Sequence, residues 1–209
     1  MKIPLHYQMS EYDCGPTSVL NALNFLFERE ELPPVLIRNI MLYCLDCYDA
    51  CGEAGKSGTS RSAMMFLSNW IEGFGQTGRL AISSSYVAGN KVYMGPGSEI
   101  VRALKQNGAV VVRIFLDEWH YILLTGIRED NSLLAFDPYL DDSILSGHPE
   151  VQAIDYQPYL YNRIIPADNF NVETESLYAF GPKAVREAVI IYNNNTKKNI
   201  VEEQIEYII

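Results

Sequence analysis

The chain changes character once, near residue 108, and that change limits what it can fold into more than any other feature. Up to Gln106, apolar residues recur at helical spacing; from Ala109 onward they form short runs of Val, Ile, Leu and Tyr. The spacing predicts helices over residues 14–29, 39–47, 61–74 and 98–106, the last framed by Gly97 and Gly108. Between them, 51–59 (CGEAGKSGT) reads as a glycine-punctuated loop, and 82–92 as a short strand and turn. Strands are predicted over 109–115 (AVVVRIF), 119–127 (WHYILLTGI), 131–136 (NSLLAF), 160–165 and 188–192. Residues 139–158 read as a long loop, and the segment after Asn193 as a frayed or docked tail. Helices first and antiparallel strands later make an α+β pattern, with none of the strand-helix alternation of a parallel sheet. The expected organisation is one domain over 1–209, with 194–209 as its tail.

The first helix is entered through Gln8-Met-Ser-Glu-Tyr-Asp-Cys14-Gly-Pro-Thr-Ser, which places a thiol on its first turn. Asp13 suits the N-cap, and Pro16 is tolerated because the first helical N–H groups have no intrahelical partner to lose. A helix N-terminus favours negative charge and hence a thiolate, and a polar, capped helix start argues against burial of Cys14. A cysteine nucleophile needs a base to ionise it and a third group to orient that base. Of the three histidines, His6 lies two residues before Gln8 and His148 sits in the polar run GHPE, whereas His120 opens a strand. That strand turns at about residues 128–131 and returns to Asp137, so in a hairpin His120 and Asp137 fall at the same open end.

Gln8, Asp13-Cys14-Gly15-Pro16-Thr17, His120-Tyr121 at the start of an apolar strand, and Phe136-Asp137-Pro138 occur in that order. In this the chain resembles the papain-like cysteine peptidases of the bacteriocin-processing family (peptidase family C thirty-nine and its stand-alone relatives), over about residues 1–165. The resemblance implies a papain-like fold, with N-terminal helices packed on a C-terminal antiparallel sheet. It also implies a thiol-dependent hydrolase of peptide or amide bonds. In that scheme Cys14 is the nucleophile, His120 the general base and acid, and Asp137 its orienter. Gln8 supplies a side-chain N–H to the oxyanion hole beside the backbone N–H of Cys14. The substrate expected is a peptide or protein, with no metal or other cofactor. No membrane-spanning transporter or ATPase is read here, so cleavage coupled to export is not implied. The same fold also serves acyltransferases and non-cleaving peptide-binding domains.

Other features narrow the field. A formal net charge of −10 argues against nucleic acid and anionic membrane as partners, since both need basic surface. No signal peptide and no membrane span is read, and cytoplasmic location is the default expectation. Cys44, Cys47 and Cys51 share one helix face if the helix continues through them, which suits core packing better than a metal site. Ala50-x4-Gly55-Lys56-Ser57 matches a relaxed phosphate-binding loop, with Asp137 as a Mg2+-binding acid at a strand end. That nucleotide-binding alternative would require a strand immediately before the loop.

Overall fold

The structure, a computed structural model, describes residues 1–199. Five α-helices are described: α1 (Cys14–Leu26), α2 (Pro34–Cys44), α3 (Arg61–Gln76), α4 (Glu99–Lys105) and α5 (Ala167–Asn171). The strands are β1 (Ile82–Ala88), β2 (Ala109–Phe115), β3 (Trp119–Ile127), β4 (Leu133–Phe136), β5 (Gln152–Ala153), β6 (Arg163–Ile165) and β7 (Glu187–Asn193). They form one antiparallel sheet in the order β1-β7-β2-β3-β4-β6-β5. The α+β expectation holds.

Both faces of the sheet are covered, which explains why its central strands read as continuous apolar runs. Val111, Tyr121, Leu123, Val189 and Ile191 pack with α1, α2 and α3 in one core. Their strand neighbours Val110, Val112, Ile122, Leu124 and Ile190 pack with α4 and α5 in a second. Side chains alternate across a strand, so a strand with a core on each side has no polar positions to spare.

The helix boundaries depart from expectation where proline and extended backbone intervene. α1 stops at Leu26 because Phe27 is already extended, and a short 3-10 turn at Arg29–Glu31 follows, held by a capping box between Glu28 and Glu31. α2 begins at Pro34, five residues before the expected start, since proline at the first helical position loses no hydrogen bond. It ends at Cys44, where Leu45 leaves helical geometry, and this overturns the shared cysteine face. Cys44 is buried, Cys47 is half-buried and Cys51 is exposed in the loop beyond. The 160–165 strand shrinks to Arg163–Ile165 because a turn closed by the Leu160 N–H on the Gln157 carbonyl takes its first residues. The 139–158 loop contains a 3-10 turn (Asp142–Leu145) and β5. Of the expected tail, residues 200–209 lie outside the described residues.

The nucleotide-binding alternative loses its structural context. Residues 50–57 follow α2, and the first strand begins only at Ile82. Lys56 is paired with Glu53. No helix among the described residues is long and apolar enough to cross a membrane.

Candidate active site

The two halves of the site are brought together by one buried hydrogen bond. The Ser18 hydroxyl, one turn into α1 from Cys14, donates to the Tyr121 carbonyl at 2.9 Å, and Ser18 is fully buried. This fixes the start of α1 against the start of β3, where His120 lies. The helix also approaches a loop closely: a Cβ on Gly15 would stand 2.3 Å from the Thr59 hydroxyl oxygen, so no larger residue fits there without displacement.

Cys14 itself is buried, contrary to the expectation drawn from its polar surroundings. Asp13 occupies the N-cap position but makes no side-chain cap. Its carboxylate turns back instead, accepting from the backbone N–H groups of Met9 (3.0 Å) and Ser10 (2.7 Å) and from the Ser10 hydroxyl (2.7 Å). Burial opposes its ionisation, yet these donors hold its pKa below the usual carboxylate range. Asp13 therefore shapes the loop that carries Gln8.

The β3–β4 hairpin places His120 and Asp137 together, as its register implied. The turn closes at Arg128 to Ser132, with Asn131 in the left-handed region at φ 63°, and a bulge between Leu124 and Gly126 adjusts the pairing. His120 Nε2 lies 2.9 Å from Asp137 Oδ1. That bond leaves Nδ1 as the free ring nitrogen, and the Cys14 thiol neighbours the imidazole closely enough to act on its charge. Burial alone would lower the His120 pKa, but the Asp137 carboxylate, followed by Cys14, raises it to about 10. The imidazole is thus held as imidazolium at neutral pH. His148 is paired with Glu150 in an exposed loop, and His6 is also exposed.

Asp137 is fully buried, and four groups that the sequence did not single out hold it. Its backbone N–H donates to Asn162 Oδ1 and its carbonyl accepts from Asn162 Nδ2, both at 2.8 Å. Oδ1 also accepts from the Tyr139 N–H, and Oδ2 accepts from the Tyr178 hydroxyl at 2.8 Å. Burial works against the carboxylate, but His120 and these donors keep its pKa below the ordinary value. Arg163 is buried beside Tyr178 and Asp137, and it acts on both through its charge. Only the Asn162-Arg163 stretch carries a local signal, being polar residues set just before an apolar strand.

Gln8 is tied to the strand end that bears Asp137, because its backbone N–H donates to the Pro138 carbonyl at 2.9 Å. One side-chain N–H donates to the Ser10 carbonyl at 2.9 Å, which leaves the second available; Oε1 is buried without a partner among the described residues. A cleft of about 240 Å3 opens beside it, lined by Gln8, Met9, Glu11, Tyr139, Leu140 and Asp141 among others. Of the acidic stretch beyond Asp137, only Asp141 reaches this cleft; Asp142 pairs with Arg163 and Glu150 with His148. A larger cavity of about 580 Å3 lies beside α4, and none of the four candidate residues lines it. No group of His, Cys, Asp and Glu among the described residues is arranged to hold a metal ion.

No curated protein and no solved structure matches the chain. The model of the Peptidase_C39 like family matches residues 1–146, a span that contains Gln8, Cys14, His120 and Asp137, and the chain belongs to that family.

Proposed function

We propose that the protein is a cysteine hydrolase that cleaves a peptide or amide bond through an acyl-enzyme on Cys14. The observation that carries this reading is the buried His120–Asp137 pair beside the thiol, with the imidazole held protonated. The resting pair is a Cys14 thiolate and an imidazolium that already holds the thiol's proton, and the sulfur attacks the substrate carbonyl carbon. The oxyanion that forms is met by the backbone N–H of Cys14 and by the free side-chain N–H of Gln8. The imidazolium returns the proton to the leaving nitrogen as the C–N bond breaks, leaving a thioester on Cys14. Water, deprotonated by the now neutral His120, then attacks that thioester; the acid product leaves and the thiolate–imidazolium pair is restored.

Met9 and Leu140 are 95% and 68% exposed at the rim of the cleft, an apolar border suited to substrate side chains. Glu11 and Asp141 add negative charge there, which favours neutral or basic peptides over acidic ones. A mixed peptide library, digested at low and high salt and read by mass spectrometry, tests the reading. Cleavage is expected, and Cys14→Ala or His120→Ala should abolish it with the fold intact. Turnover should hold at neutral pH and fall as pH rises through about 10, because the leaving group loses its proton donor when His120 deprotonates. Unchanged cleavage by Cys14→Ala would refute the reading. A reactive Cys14 that cleaves nothing would favour acyl transfer.

A further inference from the structure

The family match ends at residue 146, yet the buried carboxylate of the site is completed by residues beyond it. Tyr178 lies 41 residues after Asp137, is fully buried, and directs its hydroxyl to Asp137 Oδ2 at 2.8 Å. Its backbone stands at φ 62°, a conformation that bulky residues seldom adopt. The Tyr178 N–H donates to the Phe115 carbonyl, and the Phe115 N–H donates to the Ala179 carbonyl, both at 2.8 Å; these bonds hold the strained turn against β2. Strained residues persist where the surroundings over-determine them, and here the strain delivers a phenol to the oxygen of Asp137 that faces away from His120.

From this geometry we infer that Tyr178 is a positioning residue of the site, a hydrogen-bond donor from outside the family-matched region that fixes Asp137 for His120. This rests on the cysteine-hydrolase reading above. Arg163, buried with its Nε unpartnered, lies beside the phenol and acts on it through its charge. An ionised carboxylate only accepts, so the phenol turns its hydrogen to Asp137. Burial, together with the Asp137 charge, keeps the phenol neutral far above physiological pH. The hydrogen bonds run from Tyr178 through Asp137 to His120, which Cys14 adjoins, while the Arg163 guanidinium beside Tyr178 pairs with Asp142.

Tyr178→Phe removes one oxygen and keeps the ring. It leaves Oδ2 buried without a donor, so Asp137 takes up a proton at higher pH, and His120 loses its counter-charge there. The rate of Cys14 alkylation by iodoacetamide, followed against pH by site-resolved mass spectrometry, reads this without any substrate. Loss of a hydrogen bond to a buried charge should move the acidic limb of the profile up by about one pH unit. Tyr86→Phe serves as the control, since it removes a phenol from a different carboxylate, Glu187, and should not move that limb. A Tyr178→Phe profile that superimposes on the unaltered protein overturns the inference while leaving the hydrolase reading intact. A Cys14 profile that His120→Ala does not alter overturns both. Should Tyr178→Phe fail to fold, proton spectra of the unaltered chain decide. A slowly exchanging Tyr178 hydroxyl that shifts in Asp137→Asn supports the inference, and a hydroxyl averaged with water overturns it.

Discussion

Among single residues, Gln8 has the most specific role to test. Its backbone is fixed to the strand end beyond Asp137 and one of its side-chain N–H groups to Ser10, so the amide is held in place before any charge forms. Such a donor acts on the oxyanion and hardly on the ground-state carbonyl. Gln8→Ala should therefore lower kcat about 100-fold with KM little changed, as steady-state kinetics would record. Equal changes in both constants would make Gln8 a substrate-binding residue. The four candidate residues Gln8, Cys14, His120 and Asp137 could be singled out because each sits at a local signal, a helix entry or a strand end. Asn162, Arg163 and Tyr178 could not. Their relation to Asp137 spans 25 to 41 residues and depends on β6 and the strained 178 turn reaching it, which no window of sequence contains. Asp13 was legible in position but not in function, because the same carboxylate could cap forward or bond backward, and the donors of Met9 and Ser10 decided it.

At the level of elements, the strands were easier to read than the helix ends. Residues 109–115 and 119–127 emerged with their expected limits because β-branched runs flanked by turn residues leave few alternatives. The limits of α1 and α2 depended on whether Pro33-Pro34 breaks a helix or starts one, and on backbone angles at Phe27 and Leu45. That uncertainty in α2 carried the mistaken cysteine face with it. The position of α1 can be tested through its glycine. Gly15→Ala would place a methyl 2.3 Å from the Thr59 hydroxyl, so α1 or the 56–60 loop must move. Denaturant unfolding should record a loss of about 1–3 kcal/mol, and turnover should fall at least tenfold as Cys14 shifts from His120. Gly73→Ala, at an exposed position of α3 with no atom near the new methyl, should instead be neutral or gain about 0.5–1 kcal/mol. A Gly15→Ala variant as stable and active as the parent would mean that the helix start is not held where it is described.

Across the molecule, two cores lie on opposite faces of one sheet, and the candidate site sits at the open end of the β3–β4 hairpin. The helices on one face deliver the thiol, β3 and β4 deliver the imidazole and carboxylate, and the turn before β7 delivers the phenol behind them. Three separated parts of the chain thus meet at one buried pair, and the account stands on that meeting producing a covalent intermediate. The direct measurement is intact-mass analysis of the protein, quenched in acid within milliseconds to seconds of mixing with the peptide pool and then mapped by digestion. The account predicts an acyl group added to the fragment that contains Cys14, and no such adduct with Cys14→Ala. Peptide cleavage that proceeds with Cys14 bare throughout, and continues in Cys14→Ala, would contradict it.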